Sequence, residues 1–221
     1  MSLGSRLALR CVIGTTAFGA LLFISAGSLR FWQGWAFAAV WILPPLLAFA
    51  HFCKSDPELV ERRLRRREIV RKQKIIMMFF LVTVVAIFAL PGIDHRLGWS
   101  HTPLWLTVLA LALVLSGQLT MLWVITVDRY AGATIQVESS QRVISSGPYG
   151  VVRHPMYLGA SVMFMFTPLA LGSYWVLPAV VPILPILILR LLNEEKVLRQ
   201  ELPGYSDYCL HTRFRLVPGV W

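Results

Sequence analysis

The run Arg153-His154-Pro155-Met156-Tyr157-Leu158-Gly159 and the pair Glu194-Glu195 bracket a long apolar stretch whose only other charged residue is Arg190. If that stretch folds as a hairpin, its two charged ends return to one side. Ionisable residues at membrane depth are expensive, so they point to a functional site by default. Pro155 starts a helix, and a helix start offers unpaired N–H groups and a partial positive charge. With Arg153 and His154 beside it, such a place favours an anion such as a carboxylate. Glu194 and Glu195 favour an ammonium or a sulfonium, or accept from ribose hydroxyls. Tyr149 and Tyr157 add aromatic faces suited to a sulfonium or an adenine. A small zwitterion of the form of S-adenosylmethionine satisfies both clusters. Each cluster alone also has a plainer reading. Arg153 then marks a membrane border, His154 caps a helix, Arg190 snorkels, and the glutamates form a solvated helix end beside Lys196 and Arg199.

The elements that carry these residues are apolar. Of the 221 residues, 57% are hydrophobic and only 14% charged, against roughly 25% charged in soluble domains. The chain reads as an all-α, polytopic membrane protein forming a single domain over residues 1–221. Apolar spans are expected at about 7–29, 32–53, 75–93, 103–127, 157–171 and 174–192, giving five to six transmembrane helices. The last two are short and interrupted by Pro168, Pro178, Pro182 and Pro185, which suits a kinked hairpin around a cavity. Residues 1–127 read as generic spans and 128–221 as the cofactor-binding part.

A net charge of +10 points to nucleic acid in a soluble protein, but here its distribution is a topology signal. With the N-terminus in the cytoplasm, every one of the 21 Lys and Arg residues except Arg30 and Arg96 faces inward. Both termini are then cytoplasmic, in the plasma or inner membrane of a bacterium or the endoplasmic reticulum of a eukaryote. No nucleic-acid partner is needed. Arg6 and Arg10 precede an apolar run that lacks an Ala-x-Ala cleavage site, so the first helix is expected to be retained. Cys11, Cys53 and Cys209 lack metal spacing, and the histidines form no His-x-x-x-His pair, so neither a disulfide framework nor a metal site is expected.

Ser55-Asp56-Pro57-Glu58 is a helix start. The helix it opens carries Arg62, Arg63, Arg65, Arg66, Arg67 and Arg71 among Leu59, Val60, Leu64 and Ile69, and reads as a connector gripping anionic headgroups. The loop 94–102 lies outside, with Trp99 as an interfacial anchor. The polar stretch 128–152, with Thr134, Gln136, Ser139 and Gln141, is broken by Gly147-Pro148 before Pro155 restarts a helix with His154 at the cap. A tail from Lys196 opens as a helix and breaks at Pro203-Gly204.

The ordered set Arg-His-Pro-x-Tyr-x-Gly, an apolar hairpin, a Glu-Glu pair, Gly204-Tyr205-x-x-Tyr208 and a closing Arg-x-x-Pro, between about Gln141 and Pro218, resembles the integral-membrane methyltransferases. These are typified by isoprenylcysteine carboxyl methyltransferase and the phospholipid N-methyltransferases. The resemblance implies a cofactor pocket closed by the hairpin and tail on the cytoplasmic side. Gln141, Arg142, Val143 and Ile144, then Tyr149, Arg153 and His154-Pro155-Met156-Tyr157 would hold S-adenosyl-L-methionine, with Glu194 and Glu195 at its amino or ribose end. In the carboxyl-methylating branch an arginine one turn before the glutamates would hold the acceptor carboxylate, and Arg190 fits. The histidine common at the start of the Gln141 stretch is absent. The implied acceptor is an apolar or lipid-like small molecule reached from the bilayer, a carboxylate first, a phospholipid amine second and a small thiol third. Membrane lipids are the other partner, and the default oligomeric state is a monomer. Two other classes remain: an NADPH-dependent membrane reductase of the sterol-reductase type, which needs further basic residues for a 2′-phosphate, and a non-catalytic scaffold.

Overall fold

The computed structural model describes residues 3–65, 71–131, 137 and 141–221. Among them every regular element is helical: α1 (Leu3–Ala26), α2 (Trp32–Ser55), α3 (Pro57–Arg65), α4 (Arg71–Leu97), α5 (Leu104–Val127), a 3-10 turn (Gly147–Gly150), α6 (Pro155–Ala170), α7 (Leu177–Val180), α8 (Ile183–Glu201) and α9 (Tyr205–His211). Four stretches are long and apolar enough to cross a membrane, Trp32–Ser55, Ile75–Leu97, Leu104–Val127 and Leu177–Glu201. Cys11–Ala26 and Pro155–Ala170 are apolar helices below that length. Large side chains such as Leu47, Val82, Trp105 and Leu119 stand exposed on these helices, as lipid-facing residues must. The protein is an integral membrane protein.

The core lies where α1, α2, α4, α5, α6 and α8 meet, around Leu22, Phe37, Ile87, Val114, Phe164 and Leu187. Phe37 and Trp41 stack at 5.5 Å, and Phe88 stands edge-on to Trp41 at 5.0 Å, so rings rather than aliphatic chains join α2 to α4. The most extensive packing joins α5 to α6. Its cause is glycine against glycine: a Cβ on Gly117 would stand 2.5 Å from the Gly159 carbonyl, and one on Gly159 2.6 Å from the Gly117 carbonyl. Small residues at such a seam let two backbones touch. The Gly that closes the Arg153–Gly159 motif therefore packs the helix that the motif starts.

Pro44 and Pro45 sit inside α2. Pro45 has no N–H to give the carbonyl four residues back, that of Trp41. The side chain of Gln118 on α5 supplies the missing donor, with Nε2 to Trp41 O at 2.9 Å. Gln118→Leu should therefore cost about 1 kcal/mol more in the natural chain than in a Pro45→Ala background, where a backbone N–H is restored. Equal costs, measured by thermal unfolding in detergent, would refute this replacement.

Asp56 caps α3 through the Leu59 N–H at 3.2 Å, as the Asp-Pro-Glu start implies. Residues 66–70 of the connector, with Arg66, Arg67 and Ile69, lie outside the described residues, as do 132–136 and 138–140 with Thr134, Gln136 and Ser139. The outer loop is shorter than the 94–102 read from sequence, because α4 runs on to Leu97. Its Asp94 is buried and accepts from the Ser100 N–H and hydroxyl and from the Ser173 hydroxyl. That carboxylate clasps α4 to the turn after α6. Trp99 and Trp175 are exposed there, 6.3 Å apart, as an interfacial pair would be.

The proline-broken second arm of the hairpin consists of two helices. Pro178 stands in the first turn of α7, Pro182 caps α8, and Pro185 lies in the first turn of α8, where its missing N–H is harmless. Helix α8 then continues past the apolar part through Glu194 and Lys196 to Glu201, because its residues favour helix until Pro203. Arg190 and Glu194 are thus one turn apart on one continuous helix.

Candidate active site

Arg153 and His154 follow the 3-10 turn by three and four residues and pair with the tail: Arg153 N–H donates to Phe214 O at 2.9 Å and His154 N–H to Arg215 O at 3.0 Å. His154 occupies the cap position of α6 but its side chain does not cap. It turns instead to Glu195, with Nε2 3.4 Å from Oε1. Glu195 also meets Arg153 Nη1 at 2.9 Å and Arg215 Nε at 3.0 Å, and Arg153 Nη2 donates to Arg213 O at 3.1 Å. Arg153, His154 and Glu195 are all buried. Buried charges persist when they are mutually paired in this way.

Glu194 points elsewhere. Its Oε2 accepts from the Tyr157 hydroxyl at 2.7 Å, and the Tyr157 ring lies 5.7 Å from that of His154. Neighbouring residues on a helix diverge by about 100°, so the glutamate pair splits, one member to the ion cluster and one to a cavity.

That cavity has a volume of about 350 Å³, within the range of small-molecule sites. Its wall includes Gln141, Arg142, Val143, Ile144, Tyr149, the run Arg153–Tyr157, Arg190 and Glu194. The structure therefore brings together every candidate named from sequence except Glu195, which serves the ion cluster behind the wall. The rest of the wall is apolar and draws on earlier helices as well as α6 and α8: Met77 and Phe80 of α4, Met121 and Ile125 of α5, Ala160 of α6, and Ile186 and Leu187 of α8. The cavity is thus polar at the end bearing the charged residues and greasy toward the helical core.

Several wall residues were not legible as such. Asp128, directly after α5, reads as the end of a span, yet its carboxylate accepts from the Tyr130 N–H at 2.8 Å and the Tyr149 hydroxyl at 2.9 Å. Burial first, then the Asp128 carboxylate, pushes the Tyr149 hydroxyl well above the ordinary phenol range, so it stays a donor. Tyr205, Tyr208, Leu198 and Leu202 complete the wall from α8 and the tail. The Tyr208 hydroxyl, pushed up to about 12 mainly by burial, donates to Tyr149 O at 2.7 Å. The Gly204-Tyr205-x-x-Tyr208 spacing, three residues apart on one helix face, was the available signal.

The arrangement fits a zwitterionic nucleoside. Carboxylates at Glu194 and Asp128 suit cationic or hydroxyl groups, Arg190 and Arg142 suit an anion, and the tyrosines and Val143 supply flat and apolar contact. Among the described residues no group of His, Cys, Asp and Glu could hold a metal ion.

Residues 105–203 match the sequence profile of the family described as Phospholipid methyltransferase. A 91-residue part of the chain is 30% identical to the Delta(14)-sterol reductase TM7SF2 of Mus musculus, covering 40% of this chain and 22% of that protein. The chain thus spans only about a fifth of the length of this curated relative. Both alignments are partial; the family match takes in α5, the hairpin, the motif from Arg153 to Gly159, and Arg190 to Glu195. From α5 to the end of α8, then, the chain carries the phospholipid-methyltransferase pattern, and the resemblance to membrane methyltransferases read from its motifs is borne out.

Proposed function

We propose that the protein is an S-adenosyl-L-methionine-dependent membrane methyltransferase acting on an apolar or lipid-like acceptor, with a carboxylate as the leading acceptor group. The observation that carries this reading is the shared cavity wall on which Glu194, Tyr157 and Arg190 meet the Gln141–Ile144 stretch and Tyr149. In this reading residues 1–221 act as one membrane unit, with 128–221 holding the cofactor on the cytoplasmic side.

When bound, the cofactor supplies an electrophilic methyl group on a sulfonium. Glu194, oriented by the Tyr157 hydroxyl, takes its ammonium or ribose end; Gln141–Ile144, Tyr149 and His154–Tyr157 enclose the rest. Arg190, one turn from Glu194, holds the acceptor anion toward the apolar wall. A carboxylate or thiolate arrives already deprotonated, so the protein need move no proton. Orientation and a water-poor site then supply most of the rate. An amine acceptor must lose a proton, and His154 or a glutamate would then assist.

The partial match to a sterol reductase supports a second reading, reduction with NADPH. That cofactor needs basic residues for its 2′-phosphate. Of the two tail arginines, Arg215 is already committed to Glu195 at 3.0 Å, which disfavours it.

Purified protein in detergent should unfold several degrees higher with S-adenosylmethionine or S-adenosylhomocysteine at about 100 times Kd, a gain of about 2.7 kcal/mol, and be unmoved by NADPH. A shift with NADPH alone would reverse the assignment. Labelled methyl groups transferred into a total lipid extract then sort the acceptors. Base-labile label marks a carboxyl ester, and base-stable label an amine or thiol.

A further inference from the structure

Tyr205 is the first residue of α9, placed by a left-handed Gly204 (φ 81°) that turns the chain sharply after Pro203. It is 4% exposed, and its ring packs 5.7 Å from that of Tyr208. The three other tyrosines of the pocket wall that stand nearest in this network spend their hydroxyls inside the protein: Tyr149 on Asp128, Tyr157 on Glu194, Tyr208 on the Tyr149 carbonyl. The Tyr205 hydroxyl is enclosed on the same wall and has no hydrogen-bond partner among the described residues.

A buried hydroxyl without a partner costs about 1–3 kcal/mol. Phenylalanine would fill the same space without that cost, so the hydroxyl reads as complementary to something that enters the cavity. Burial first, then Glu195 and Glu194, holds the phenol well above its ordinary range. It therefore stays protonated and can both donate and accept. Its neighbours fix which end of the ligand it faces. The ring shares a buried cluster with Leu202 and Tyr208, against which Val143 and Tyr149 pack, apart from the core cluster that holds Phe80 and Leu187.

We propose that the Tyr205 hydroxyl is a direct ligand contact of the cavity, hydrogen-bonded to a hydroxyl or ring nitrogen of the bound nucleoside. The inference rests on the S-adenosylmethionine reading above and adds to it a contact from the tail.

The test is Tyr205→Phe in the full chain, with labelled S-adenosylhomocysteine in equilibrium dialysis and thermal unfolding of the ligand-free protein. The expected result is a ligand-free midpoint equal to or above that of the natural protein, with affinity weakened on the order of tenfold. Unchanged affinity would overturn the inference. A fallen ligand-free midpoint accompanying weaker binding would overturn it too, since the hydroxyl would then serve the fold. If the natural protein itself binds no S-adenosylhomocysteine, the cofactor reading fails first and the contact with it.

Discussion

Glu195→Ala should lower stability by about 3–5 kcal/mol, the effect of removing one partner from a buried ion cluster. The side chain joins three elements at once: Arg153 ahead of α6, His154 at the cap of α6, and Arg215 in the tail. Without it two buried cationic or polar groups face no carboxylate, and the desolvation that Glu195 offsets becomes a net cost. Glu195→Gln retains the shape and one acceptor, so it falls between. The measurement is the unfolding midpoint in detergent, where the alanine variant should lie many degrees below the natural chain. A midpoint within about a degree would mean that the cluster is dispensable, and that Glu195 belongs with Glu194 after all. Because Glu195 does not line the cavity, whatever Glu195→Gln protein folds should still bind S-adenosylhomocysteine.

The second large effect falls on turnover. Arg190 is buried on the cavity wall, one turn before Glu194 and close to Tyr157. Arg190→Ala should leave the S-adenosylhomocysteine-induced thermal shift in place and lower base-labile methyl incorporation about 100-fold or more. A charge-assisted hydrogen bond to an acceptor anion, lost in an apolar surrounding, accounts for that size. Arg190→Lys keeps the charge but not the planar fork, and should recover only part of the rate. Full turnover in the alanine variant would remove the arginine from acceptor binding and with it the carboxylate preference. Loss of the thermal shift would instead move Arg190 to the cofactor.

Much of the site was legible because its chemistry is local in the chain. The stretch 141–159 and the Arg190–Glu195 turn already hold most of the polar wall, and Pro155 fixes where α6 begins. What escaped was the direction of each side chain. Glu194 and Glu195 read as a pair, yet one helical step separates a cavity-wall carboxylate from a buried counter-ion. Asp128 reads as a span boundary, because nothing nearby in sequence tells that Tyr149 will reach back to it. The fold shows the same division. Apolar length locates α2, α4 and α5, but the amide of Gln118 filling the gap left by Pro45 links residues 77 positions apart. The end of α4 was missed for a similar reason: polar Asp94, His95 and Arg96 look like loop, yet Asp94 is drawn inside by two serines from the following turns.

The Gly117–Gly159 seam has a consequence for traffic. Two helices whose backbones already touch have no side chains to swing aside, so α5 and α6 form a fixed jamb. In the reading proposed above, an acceptor entering from the bilayer would need another seam, and α4 and α8 both contribute to the apolar wall. Of the side chains they place there, Met77 is unbranched and flexible, whereas Phe80 is a rigid ring and Ile186 is stiff at its branch.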